Sequence, residues 1–92
     1  MPQVRLHLFI AGRVQGVGFR YYACRKAADR DVTGWVRNMD DGRVEVEVQG
    51  DRSVVEEFID RLREGTTTGC VARLDRQEIP PSPGETGFDI AY

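Results

Sequence analysis

The chemistry open to this chain rests on Arg20, Asn38 and the stretch Gly12-Arg13-Val14-Gln15-Gly16-Val17-Gly18-Phe19-Arg20. Glycines at 12, 16 and 18 allow backbone angles that side chains resist, so the chain can turn sharply there. The turn can then present several peptide N–H groups in one direction. A helical pattern starts at Phe19, which puts unpaired first-turn amides and the positive end of a helix dipole directly behind the loop. Such a cradle suits an anion, a phosphate above all. Its donors would be the backbone amides of Gln15, Gly16, Val17, Gly18, Phe19 and Arg20, with the planar fork of the Arg20 side chain reaching into the same place. Phosphoryl transfer needs mainly positioning and charge stabilisation, plus a nucleophile held in line. Asn38 ends a strand pattern just before a turn, and its amide can orient a water without being a strong base. Each feature also has a plain structural reading. The glycines suit a tight strand-to-helix turn, Arg20 a solvated helix residue, and Asn38 a turn former. A cation at a helix N-terminus opposes the dipole, however, which favours a bound anion beside Arg20.

Other chemistries lack their residues. There is no G-x-x-x-x-G-K-[ST] pattern, no third glycine at dinucleotide spacing and no Gly-x-Ser-x-Gly elbow. The single histidine, His7, falls mid-strand opposite the aliphatic side chains and reads as an ordinary sheet residue. No His/Cys/Asp cluster suggests a metal, and Cys24 and Cys70 fit neither a metal spacing nor a disulfide framework. They read as free thiols in a reducing compartment. Thirteen Lys and Arg against fifteen Asp and Glu give a net charge of −2, which argues against broad nucleic-acid binding and leaves phosphate capture to local donors. The longest apolar run, Leu8 to Ala11, is far too short for a membrane span or a signal peptide, so the cytoplasm is expected.

The elements that must position these residues follow from periodicity. Val4, Leu6, Leu8 and Ile10 alternate with Arg5, His7 and Phe9 in a first strand. Phe19, Tyr22, Ala23, Lys26 and Ala27 recur at helical spacing up to Arg30. Val32 to Asn38 forms a second strand, Asp40-Asp41-Gly42 a hairpin turn, and Arg43 to Gln49 a third strand with valines inward and charges to water. Ser53 and Glu56 have capping-box spacing, with Asp51 as an earlier cap, ahead of a helix with Val55, Phe58, Ile59 and Leu62 on one face. Gly65 ends that helix. A strand from Cys70 to Ile79, a proline-rich connection from Pro80, and a short strand with Phe88, Ile90 and Tyr92 complete the chain. At 92 residues this is a single domain, 1–92. The order implies an α+β fold of the ferredoxin-like βαββαβ kind: one mainly antiparallel sheet, two helices on one face and a short fifth strand.

Gly12 to Arg20, followed by Tyr21-Tyr22, resembles the loop of the acylphosphatases, and Thr33-Gly34-Trp35-Val36-Arg37-Asn38 resembles that family's second signature. The resemblance extends over essentially the whole chain. It implies metal-independent hydrolysis of acyl phosphates to a carboxylate and inorganic phosphate, with no cofactor and no covalent enzyme intermediate. It further implies that Arg20 and Asn38 are the catalytic residues, Arg20 binding phosphate and Asn38 positioning the attacking water, while Gln15 to Arg20 supply backbone donors. The implied partners are a small acyl phosphate as substrate and inorganic phosphate as product and competitive inhibitor, with no nucleic acid, no membrane and a monomeric state. Thr66-Thr67-Thr68-Gly69 departs from the proline-containing turn expected after the second helix, and Pro80 to Glu85 is a proline-rich version of a variable loop. The resemblance reaches the acylphosphatase-like domain of hydrogenase maturation carbamoyltransferases too, but the lack of zinc-finger cysteines favours a stand-alone enzyme. Two non-hydrolytic readings remain at this point. One is a binding module for a phosphorylated metabolite. The other is an RNA-binding module stacking bases on Phe9 and Trp35, against which Glu45 and Glu47 share the sheet.

Overall fold

Val4, Leu6, Leu8 and Ile10 all point to one face of the first strand, and all are buried. That strand lies inside the sheet, so its aliphatic face needs a cover of helices. A computed structural model describes residues 3–92; residues 1 and 2, which the expected 1–92 domain includes, lie outside the described residues. The elements run β1 (Gln3–Arg13), α1 (Phe19–Ala28), β2 (Thr33–Asn38), β3 (Val44–Asp51), α2 (Arg52–Glu64), β4 (Cys70–Ile79) and β5 (Phe88–Ile90). The sheet order is β4-β1-β3-β2-β5, antiparallel throughout except for the parallel β2–β5 pair. Phe19, Tyr22, Ala23 and Ala27 from α1 and Val55, Phe58, Ile59 and Leu62 from α2 join the strand aliphatics in one core. Both helices therefore cover the same face, and the α+β ferredoxin-like expectation holds with its short fifth strand.

Several details differ from the sequence reading. β1 runs on to Arg13, with a register shift between Ala11 and Gly12 that keeps it paired to β4. α1 stops at Ala28, two residues before Arg30, because the amides of Asp29 and Arg30 both bond back to the Ala27 carbonyl. The Ser53/Glu56 capping box does not form. Asp51 occupies the N-cap position of α2 without a side-chain cap bond, and the Glu56 carboxylate is taken by Arg76 on β4. β5 ends at Ile90, where the Ala91 amide bonds to the Val36 carbonyl, so Tyr92 lies beyond the strand and is exposed. Gly65 does close α2, donating its amide to the Leu62 carbonyl. Cys24 and Cys70 are both free. No helix among the described residues is long and apolar enough to cross a membrane.

The sheet face away from the helices does not simply offer its charges to water. Arg5 is only 3% exposed, and its guanidinium donates to Glu47 at 2.8 Å, Gln49 at 3.1 Å and Glu85 at 2.7 Å. Glu45 is buried as well; it accepts from Arg37 and shares a hydrogen bond with His7, each at 2.6 Å. Charges held this far from water must be paired, and every one of these is. Arg37 and His7, the latter read from sequence as an ordinary sheet residue, thus share one carboxylate. Arg43 stays at the surface with Asp41, 2.8 Å away.

Candidate active site

The register of the sheet brings the loop and Asn38 to the same end. Ile10 of β1 and Asn38 of β2 are both paired with Val44 of β3, so the chain leaving β1 and the end of β2 stand two strand spacings apart, roughly 10 Å. The gap is closed by Gln15. Its side-chain amide donates to the carbonyls of Met39 at 2.7 Å and Arg43 at 3.0 Å, clipping the loop to the turn that follows Asn38. That turn is itself tied by the Met39 amide to the Arg43 carbonyl at 2.8 Å.

Gly16 and Gly18 adopt φ values of 74° and 76°. A Cβ at either would meet nothing within 4 Å, so glycine is required by backbone angle and not by space. Gly18 is the N-cap of α1 and offers no side-chain cap. The first helical bond runs from the Tyr22 amide to the Gly18 carbonyl at 2.9 Å. Among the described residues, no backbone carbonyl or side chain accepts from the amides of Gln15 through Tyr21. A run of free donors at the positive end of a helix has the geometry that an anion cradle requires.

These amides border a cleft of about 220 Å³. Val14 and Phe19, each 1% exposed, close its floor, Gly16 and Gly18 form its wall, and Arg20, Tyr21 and Asn38 complete the lining. Arg20 pairs with no carboxylate among the described residues; its guanidinium carbon lies 5.8 Å from the centre of the exposed Tyr92 ring. The Asn38 Oδ1 is shut off from solvent and has no donor among the described residues. An acceptor in that state costs about 1–3 kcal/mol unless something supplies a proton to it. No carboxylate, histidine or thiol lines the cleft, and no group of three or more such side chains able to hold a metal occurs among the described residues.

Of the residues singled out in sequence, Gly16, Gly18, Phe19, Arg20 and Asn38 come together at the cleft. Phe19 does so from the buried side, its ring packed beside Tyr22 with centroids 6.1 Å apart. Gln15 and Val17 are not in the lining. The Gln15 side chain is committed to the hairpin turn, and Val17 packs against the core, so only their backbone amides remain available. Sequence reasoning passed over Val14 and Tyr21 as lining residues. Val14 is the one aliphatic residue before the two loop glycines, and Tyr21 stands off the buried helical stripe of Phe19, Tyr22, Ala23 and Ala27. Both signals were present.

Comparison with known proteins identifies the family. The acylphosphatase family pattern matches residues 6–90. The acylphosphatase of Geobacillus thermodenitrificans is 46% identical over 88 residues, covering 96% of this chain and 94% of that protein. The acylphosphatase of Moorella thermoacetica is 46% identical over 90 residues, covering 98% and 96% respectively. The crystal structure of acylphosphatase from Bacillus subtilis superposes with a TM-score of 0.92 at 35% identity, over 97% of this chain and 99% of that one. With the strand–loop–helix and the Asn38 turn both in place, and with matches running nearly end to end, this chain belongs to the acylphosphatase family of acyl phosphate hydrolases.

Proposed function

We propose that the enzyme cleaves acyl phosphates without a metal, by holding the phosphoryl group in the Gln15–Arg20 amides and the Arg20 guanidinium while Asn38 orients the attacking water. The observation that carries this reading is the uncommitted state of all three parts. Among the described residues the cradle amides lack acceptors, Arg20 lacks a carboxylate, and the Asn38 Oδ1 lacks a donor, all around one cleft. A phosphoryl dianion satisfies the first two, and a small rotation of the Asn38 side chain that opens Oδ1 to the cleft lets a water O–H satisfy the third. In the reaction the water oxygen bonds to phosphorus as the phosphorus–acyl oxygen bond breaks, and that electron pair leaves on the carboxylate. One water proton passes to a phosphoryl oxygen of the substrate, so the products are a carboxylate and dihydrogen phosphate. A carboxylate is a stable leaving group at neutral pH, since carboxylic acids titrate near about 4. No general acid is needed, in keeping with a lining that contains no carboxyl, histidine or thiol among the described residues. The cradle draws all its parts from one chain, so a monomer suffices.

The test is hydrolysis of benzoyl phosphate by the purified protein in excess EDTA, beside Arg20→Ala. Turnover that resists EDTA and disappears in the variant is expected. Turnover lost on EDTA treatment and restored by a divalent cation would remove the metal-independent part, and an active, folded Arg20→Ala protein would remove the role of Arg20.

A further inference from the structure

Tyr21 and Tyr92 are the exposed large hydrophobic side chains among the described residues, at 62% and 96% exposure, and both border Arg20. Tyr21 lines the cleft with it, and the Tyr92 ring lies against its guanidinium. An aromatic ring left in water returns nothing to folding, and two such rings beside one cationic cleft are a concentration of unused apolar surface. The helix explains the placement of Tyr21. Residues 19, 20 and 21 step around the first turn of α1, so Phe19 enters the core while Arg20 and Tyr21 stay outside. Each Cα–Cβ bond on a helix tilts toward the N-terminus, so both outer side chains lean over the loop amides instead of away from them.

The size of the cleft determines what Tyr21 meets there. Its volume of about 220 Å³ is below the roughly 300–1,000 Å³ that encloses a drug-sized ligand, and its floor is sealed by Val14 and Phe19. A phosphoryl group resting on the amides at the bottom must therefore carry its acyl group at the mouth, where Tyr21 stands.

We propose that Tyr21 is the acyl-group subsite and makes the enzyme prefer acyl phosphates with a planar apolar acyl group over acetyl phosphate. This rests on the phosphoryl group occupying the amide cradle as set out above. The ring provides a flat face for an aryl acyl group, and an acetyl group is too small to reach across it. The ring face acts in binding, so its contribution falls on KM; the phenol hydroxyl plays no part.

The experiment compares kcat and KM for benzoyl phosphate and acetyl phosphate in the wild type, Tyr21→Ala and Tyr21→Phe, with inhibition by inorganic phosphate measured alongside. Tyr21→Ala is expected to lower kcat/KM for benzoyl phosphate by about threefold to tenfold, the range of one aromatic contact, and mainly through KM. Acetyl phosphate kinetics and phosphate inhibition stay within about twofold, and Tyr21→Phe behaves as wild type. An equal loss on both substrates, or an unchanged ratio between them, overturns the subsite. A wild type that inorganic phosphate does not inhibit overturns instead the cradle on which the subsite depends, so the two failures are distinct.

Discussion

The Gln15 clip invites a direct measurement of what holds the loop to the hairpin. Gln15→Met keeps an unbranched side chain of similar length and removes both donations, to Met39 at 2.7 Å and to Arg43 at 3.0 Å. Each carbonyl keeps another donor: Gly42 bonds to that of Met39 at 3.2 Å, and Met39 bonds to that of Arg43 at 2.8 Å. The larger cost of an abandoned buried acceptor is thus avoided, and the loss is the net worth of two ordinary hydrogen bonds, about 2 kcal/mol. For a domain of this size, that lowers Tm by roughly 8–16 °C. The turn that loosens is the one following Asn38, whereas the cradle amides sit at the start of α1. Turnover of benzoyl phosphate should therefore fall more than affinity for inorganic phosphate. Calorimetry and steady-state kinetics on the same preparations decide the matter. A Tm shift under about 3 °C would refute the energetic argument, because even one net hydrogen bond moves Tm further than that. A variant that is destabilised with unchanged kcat would refute the link from the clip to Asn38.

Other perturbations separate the remaining parts. Asn38→Ala should reduce turnover while leaving inhibition by inorganic phosphate largely intact; if phosphate affinity falls as far as turnover, Asn38 binds substrate instead of orienting water. Gly18→Ala meets open space and pays only for a left-handed backbone, about 1–2 kcal/mol in urea unfolding. Gly34→Ala instead drives a Cβ to 1.9 Å from the Glu47 carbonyl oxygen and should cost more than about 3 kcal/mol; similar losses in the two variants would contradict the distinction between angle and space. The Arg5 hydrogen bond holds the Glu85 carboxyl below the usual glutamate range, against the opposing effect of burial. A pKa depressed in the folded state contributes stability that is complete above the unfolded pKa and is lost as pH falls through the folded one. Glu85→Gln should accordingly lose less stability than wild type between neutral pH and about pH 3, and equal losses would show that Glu85 carries no part of the acid limb.

Much of this molecule could be read without coordinates, and the failures share one cause. Periodicity assigned Val44, Val46 and Val48 to the core and placed the loop between a strand and a helix. Residue type and position singled out Arg20 and Asn38, and both line the same cleft. What periodicity cannot give is register. Glu47 faces His7 directly across β1 and β3, yet His7 bonds to Glu45 and Arg5 bonds to Glu47, each pair lying diagonally across the ladder. Arg37, by contrast, stands directly opposite its partner Glu45. Only the alignment of strands far apart in sequence turns an alternating charge pattern into buried pairs. The unused Ser53/Glu56 box has the same origin. Local spacing offered a cap, and a strand twenty residues away, carrying Arg76, took the carboxylate. Gln15 was read for its backbone alone, since nothing local shows that its side chain would find the carbonyls of Met39 and Arg43.

The central position of β1 has a consequence for synthesis. It is flanked by β3 on one side and β4 on the other, with Gln3 paired to Asp51 and Arg5 paired to Ile79. A chain made from its N-terminus at about 5–20 residues per second leaves this strand half-paired for seconds after it emerges. Pairings of such sequence separation also place folding on the millisecond-to-second scale typical of non-local sheets. During that wait Val4, Leu6, Leu8 and Ile10 form an adhesive stripe, interrupted on the backbone only by Arg5, His7 and Phe9. Arg5 is the one full positive charge among those interruptions, and so the residue that deters neighbouring nascent chains before it becomes the anchor of the finished sheet.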